Sequence, residues 1–348
     1  MIKKKKCPVL TSFLLVSTLL ELAVILYLLL PMGHERAEAS LPDKAVEPAA
    51  AVEQLAFRLQ PEDAQLLKEE EVPAAAPEDA PEKITVKEKE KPAGEPSASE
   101  ILAQAQLVAH GMGSIGELIT PNCLEGFLAQ YKAGIRVFEA DFRLTRDGKV
   151  VLRHDWWHAD WQNGIDWTHI PTREKFISEP ILSQYTPLSF RDLLLLMEVY
   201  PDICIITDTK FDESDIFTLQ FDAMLADARE LGLTYLFDRI AIQVYNGNMR
   251  TALNNLYPFP HYIYTLYQDS FKGTKDAFRE KVVYCAERGI GGITMDEYWW
   301  NASFAAIAKE YDVQVYVHTV NDAAKAKELL NTGVSGVYSD TLTPGDLE

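Results

Sequence analysis

The chain has 348 residues, with 52 acidic and 33 basic side chains and a formal net charge of −19. An apolar fraction of 47% is that of a folded protein, and the acidic surplus excludes a nonspecific nucleic-acid binder. The four cysteines show no metal-ligand spacing.

Residues 1–33 stand apart. Lys3, Lys4, Lys5 and Lys6 precede an apolar run over 9–30 that is broken only by Glu21. About 20 apolar residues in a helix cross the hydrocarbon layer, and flanking lysines stay on the cytoplasmic side. The pattern predicts a single-pass cell-membrane anchor with the rest of the chain outside. A cleaved signal peptide is the competing arrangement, with "AEAS" at 37–40 as its processing site and a secreted product.

Residues 34–100 carry 17 acidic and 8 basic side chains, eight prolines and one aromatic residue, Phe57. Such a segment buries too little apolar area to offset its ordering entropy, which predicts a disordered, semi-extended stalk. "AVEQLAFRLQ" is a candidate short amphipathic helix within it.

From 101 to 348 the texture is globular, and this length matches one (β/α)8 barrel. The strand candidates are "LVAH", "RVFEADFRL", "VVLRHD", "ICIITDT", "IAIQVY", "YIYTLY", "GITMDE", "VQVYVHTV" and "GVYSD". Amphipathic helical stretches separate most of them, several ending at glycine. Nine candidates exceed a barrel's eight by one. "TRDGK" is too short for a parallel crossover, so "VVLRHD" is expected to be the return arm of a hairpin inserted after strand 2. The fold class is therefore α/β: a (β/α)8 TIM barrel with this insertion, preceded by a transmembrane helix and a stalk. Cys123, Cys204 and Cys285 are expected to be buried small hydrophobes, at least one of them unpaired.

Polar side chains collect at strand ends. Glu139 and Asp141 alternate onto one face of their strand. A two-residue turn at Asp147-Gly148 sets Arg146 opposite Lys149 and Asp141 opposite His154. His110 ends "LVAH", Asp208 and Lys210 end "ICIITDTK", Gln243 lies in "IAIQVY", Asp296 in "GITMDE" and His318 in "VQVYVHTV". C-terminal strand ends of a barrel line its active site.

Glu139, Asp141 and Asp208 would repel one another unless a cation joined them, and hard oxygen donors suit one Mg²⁺ or Ca²⁺. The alternative is ion pairing with Lys210, Arg143 or Arg153. His110 and His154 are candidate general acid/base groups, and Lys210, Gln243 and His318 are candidate substrate-binding groups. Histidines, a lysine and a metal suit phosphodiester cleavage. Asn122 reads as a helix cap. The aromatics of "HDWWHADW" and of "YWW" at 298–300 read equally as a substrate lip and as loop packing, and His158 and His261 as structural or surface residues.

The motifs "AHGMG" at 109–113, "NCLEGF" at 122–127, "FEADFRLTRDGKVVLRHDW" at 138–156, "DTK" at 208–210, "VHTVND" at 317–322 and "GVSGVYSD" at 333–340 resemble those of the glycerophosphodiester phosphodiesterases of the PI-PLC-like barrel superfamily. The resemblance covers nearly all of 106–348. It implies that His110 and His154 are the catalytic acid and base, that Glu139, Asp141 and Asp208 hold a divalent metal, and that Lys210 lies near the phosphate. It also implies that a neighbouring glycerol hydroxyl attacks first, giving a cyclic phosphate. Three positions depart from the family pattern. Gly111 stands where arginine usually follows the first histidine, Asp208 where glutamate is usual, and His318 where tryptophan is typical. The Asp-x-Lys form is similar to that of spider-type sphingomyelinase D enzymes. The expected partner is thus a glycerophosphodiester or related lipid- or polymer-linked phosphodiester. A phospholipase D-like enzyme on intact lipid and a silent surface-binding module are the rivals.

Overall fold

The computed structural model describes residues 87–156, 170–210, 214–271 and 273–348. The apolar run at 9–30, the stalk up to 86, "AVEQLAFRLQ" and the whole of "WHADW" with His158 lie outside them. No helix among the described residues is long and apolar enough to cross a membrane.

Eight parallel strands close into a barrel: β1 (Leu107–Ala109), β2 (Val137–Leu144), β4 (Cys204–Asp208), β5 (Ile240–Val244), β6 (His261–Thr265), β7 (Gly292–Asp296), β8 (Gln314–His318) and β9 (Gly336–Ser339). Each hydrogen-bonds to its neighbour, and β1 joins both β9 and β2, which leaves no edge within the ring. The crossovers are α2 (Leu124–Lys132), α4 (Phe190–Val199), α5 (Ser214–Leu231), α6 (Gly247–Leu256), α7 (Lys275–Glu287), α8 (Ala305–Glu310) and α9 (Ala323–Asn331). A short helix α3 (Arg173–Ser178) precedes α4. Buried runs such as Cys204–Asp208 and Ile240–Val244 lack the polar alternation of a half-exposed sheet, because helices cover one face and the barrel interior the other.

The interior fills in layers. Val108, Val137, Cys204, Ile206, Ala241, Ile263, Tyr316 and Tyr338 form one buried cluster. Helix α1 (Ala98–Leu102) closes the N-terminal end by adding Ala98, Ile101 and Leu102 to that cluster. A capping box between Ser97 and Glu100 starts this helix. The stretch before it is bonded to the barrel's underside: Lys89 N–H donates to Gly232 C=O at 2.8 Å, Lys91 pairs with Asp238, and Glu95 lies 3.6 Å from the buried Arg239 guanidinium. A boundary at residue 100 falls inside α1.

Strand β3 (Val150–Leu152) runs antiparallel to β2, with Phe142 opposite Leu152 and Leu144 opposite Val150. The turn differs from the expected two-residue form. Thr145 N–H bonds Lys149 C=O at 2.8 Å and Gly148 N–H bonds Thr145 C=O at 2.9 Å, so Arg146, Asp147 and Gly148 form a three-residue loop. Gly148 takes φ +66°, a conformation that costs glycine nothing. The register therefore slips by one: Arg153 N–H reaches Asp141 C=O at 2.9 Å, and His154 is not opposite Asp141.

Cys123, Cys204 and Cys285 are free and buried. Trp156 packs edge-on against Phe176, while Trp299 and Trp300 pack against Phe271 and Phe278. Tyr298, just before these two tryptophans in the chain, stays 73% exposed. His261, the first residue of β6, approaches Asp238 at 3.5 Å.

Candidate active site

Alternation along each strand brings the polar ends to one mouth. Val137, Ile206, Ala241, Tyr316 and Tyr338 face inward, so Glu139 and Asp141, Asp208, Gln243 and Tyr245, His318 and Asp340 follow on the same faces one and two steps later. Asp141 and Asp208 are direct neighbours across β2 and β4.

Glu139, Asp141 and Asp208 each offer an oxygen within 4.8 Å of the others. Glu139 Oε2 accepts from Gly111 N–H at 2.7 Å and lies 4.0 Å from His110 Nε2, while Oε1 is buried without a hydrogen bond. Asp141 Oδ2 accepts from Asn122 Nδ2 at 2.7 Å, and Asp141 N–H donates to Asn122 Oδ1 at 3.0 Å. Asp141 Oδ1 is 2.5 Å from the Lys210 ammonium, which also bridges to Asp208. Burial and the Asp141 charge push Glu139 up to about 8. Burial also opposes ionisation of Asp208, but the Lys210 charge outweighs it and holds that carboxyl down at about 2. A buried carboxylate oxygen without a donor, beside two more carboxylates, is a donor set that fits a hard divalent cation. Of the cationic partners considered from sequence, Lys210 is the one that bridges these carboxylates. Arg143 Nε donates to His154 C=O and Arg153 Nε to Asp155 C=O.

His110 follows β1 in a short 3-10 turn. Its Nδ1 bonds Asp340 Oδ1 at 2.7 Å, and Asp340 is fixed by Asn321 Nδ2 on its other oxygen at 2.6 Å. Burial disfavours the imidazolium, yet the Asp340 bond and the charges of Glu139 and Asp141 prevail and raise His110 to about 9. His154 is oriented by its own neighbour, Nδ1 to Asp155 Oδ2 at 2.7 Å. His318 Nδ1 lies 3.6 Å from Asp296 Oδ1; burial lowers its pKa despite that carboxylate. Gln243 is buried one layer deeper than Tyr245 on the same strand face.

Three supporting residues escaped the sequence reading. Asn122 is no helix cap: Cys123 caps α2, and Asn122, at φ +51°, clamps Asp141 through both ends of its amide. Tyr245 donates its hydroxyl to Asp208 and accepts from Lys210 N–H at 3.1 Å. Asp340 lies 230 positions from the histidine it holds. "GVYSD" offered that last residue at a strand end, the same signal that singled out Asp208.

Gly111 has a steric cause. It sits at φ +53°, and a Cβ there would stand 2.4 Å from Thr120 Cβ. No side chain, arginine included, fits at this position while Thr120 holds its place.

The family model of the glycerophosphoryl diester phosphodiesterases matches residues 113–343. No protein of curated function matches the chain. Solved structures share the fold at low identity. A phosphodiesterase of Oleispira antarctica, solved with the product sn-glycerol-3-phosphate, is 17% identical with a TM-score of 0.56, over 70% of this chain and 96% of its own. A Silicibacter pomeroyi protein bearing the glycerophosphoryl diester phosphodiesterase name is 18% identical with a TM-score of 0.57, over 73% and 92%. A glycerophosphodiester phosphodiesterase of Parabacteroides distasonis is 18% identical with a TM-score of 0.51, over 70% and 95%. With two thirds of its length inside the family model and a closed parallel barrel beneath the matched motifs, the chain belongs to the glycerophosphoryl diester phosphodiesterase family, whose members are phosphoric diester hydrolases.

Proposed function

We propose that the protein hydrolyses glycerophosphodiesters by acid–base catalysis shared between His110 and His154, with Glu139, Asp141 and Asp208 holding one divalent cation, Mg²⁺ or Ca²⁺. The observation that carries this reading is the meeting of an Asp-held imidazole and three carboxylates at one barrel mouth, with Glu139 Oε1 buried and undonated. When bound, the cation would neutralise the phosphate and sharpen the acidity of groups around it.

The chain's own residues supply the rest. Lys210 brings a positive charge to the phosphate side of the mouth, held by Asp141, Asp208 and the Tyr245 hydroxyl. One histidine removes the proton of the attacking hydroxyl and the other returns a proton to the leaving oxygen. Asp340 and Asp155 each occupy the Nδ1 of one ring, which leaves Nε2 as the nitrogen that exchanges protons in both. The neighbouring glycerol hydroxyl is the attacking group in this scheme. The apolar run at 9–30 would tether the domain to the outer side of the cell membrane.

The test is release of glycerol phosphate or cyclic glycerol phosphate from a panel of glycerophosphodiesters, with and without chelator. Activity that survives chelation, or that is undiminished in His110→Ala, contradicts the scheme. Release of choline from intact choline lipids, without turnover of glycerophosphodiesters, assigns the protein to the lipid-cleaving rival instead.

A further inference from the structure

The mouth has a second half that the reaction scheme does not use. Gly292 of β7 faces inward, since a Cβ there would meet the ring of Tyr316 and the side chain of Ile263. Alternation then turns Thr294 and Asp296 inward as well, and Asp296 pairs across the sheet with His318. Asp296 thus stands at the rim on the β7–β8 side. It accepts from the Tyr298 hydroxyl at 2.9 Å and lies 3.6 Å from His318 Nδ1.

Among the described residues no lysine or arginine bridges to Asp296. Its one basic neighbour, His318, is driven toward the neutral form by burial and by the His110 charge. The negative charge at this rim is therefore left uncompensated. An exposed tyrosine flanks it: Tyr298, bonded to it through the hydroxyl, is 73% exposed. A carboxylate beside an exposed aromatic ring is an acceptor for an ammonium group, through charge and cation–π attraction. The phosphate-binding cation, Lys210, sits on the opposite, β4 side of the mouth.

Resting on the proposed phosphodiesterase activity, we infer that Asp296 and Tyr298 form a subsite for a cationic group on the substrate's alcohol. The preferred substrates are then zwitterionic diesters whose alcohol carries an ammonium, over diesters of neutral polyols.

The experiment compares kcat/KM for glycerophosphocholine and glycerophosphoglycerol, using the full chain with saturating Mg²⁺ or Ca²⁺. The wild type should prefer the choline ester by about tenfold, the value of a partly desolvated cation–π and charge contact. Asp296→Asn should bring that ratio close to one. Tyr298→Ala, at an exposed position that does not threaten folding, should lower it by about threefold. A wild type without preference, or a ratio that neither substitution moves, overturns the subsite. Turnover of neither ester by the wild type overturns the phosphodiesterase reading itself, and the subsite with it.

Discussion

The two ends of this barrel both bury charge, and they do so for opposite ends. At the N-terminal floor, the guanidinium of Arg239 is 1% exposed and donates to the carbonyls of Met197, Tyr200 and Ile203, with Glu95 at 3.6 Å. At the mouth, three carboxylates crowd round one ammonium, and one carboxylate oxygen finds no donor. The floor spreads its charge over fixed backbone dipoles at both terminal nitrogens of the guanidinium, although Arg239 Nε and Glu95 Oε2 are buried without a hydrogen bond. The mouth differs in sign and crowding: three carboxylates converge there with one cationic side chain among them, which leaves capacity for a further positive charge.

This contrast is broken most severely at the mouth. His110→Ala should lower kcat/KM on a glycerophosphodiester by about a thousandfold, the usual scale for losing a positioned acid or base. Above about pH 9, where the raised imidazole no longer adds stability, the melting temperature should move little, because the ring is partly exposed and Asp340 keeps Asn321. A large loss of stability with residual activity would mean that the mouth is built like the floor.

The floor should show the reverse. Arg239→Met strips three carbonyls of their donor and Glu95 of its ionic partner, and should cost about 3 kcal/mol by denaturant unfolding, with the activity of the folded fraction unchanged. Removing residues before 98 takes Glu95 and the capping Ser97 together and should destabilise in the same direction.

Between these lies Asn122→Ala. The amide clamps Asp141 without touching the reacting atoms, so its loss should reduce apparent metal affinity and activity by about tenfold to a hundredfold, the cost of an unsupported ligand. Excess metal should restore much of the rate, which loss of His110 would not allow.

What the sequence disclosed about these two ends was uneven. Glu139, Asp141, Asp208 and His110 were legible because alternation on a strand needs only local spacing, and the barrel turns every such strand end toward one mouth. The position of His154 was misjudged by a single residue of turn length. "DG" suits both a two-residue turn and a three-residue loop with glycine at positive φ, and the Thr145 side chain, bonded to Asp147 and Lys149, belongs to the longer form. Asn122 and Tyr245 were opaque because their partners lie 19 and 37 positions away. The floor was hidden by composition. Residues 87–97 are as polar as the stalk before them, and it is their placement against Asp238, Gly232 and Arg239 that orders them.

The smallest effect is a slope in pH rather than a loss, and it follows from the same unfilled mouth. In the metal-free protein Glu139 sits at about 8 against a model-peptide value of 4.5, and His110 at about 9 against 6.5. A raised carboxyl makes the folded state bind a proton that the unfolded chain has already released, so stability declines as pH rises from about 4.5 to 8. A raised imidazole contributes stability in full below about 6.5 and loses it as pH climbs through 9. Both groups act in one direction, and Asp208, held near 2, titrates below this window. His318, with its lowered pKa, acts the other way only below about 6.5, so the melting temperature of the chelated protein should fall steadily between pH 6.5 and 9. A saturating divalent cation binds the ionised carboxylates and should reverse the trend, stabilising more at pH 8 than at pH 6. A slope that is the same with and without metal would mean that these carboxylates do not hold the cation. The mouth would then be a buried ion-pair network around Lys210, no different in kind from the floor.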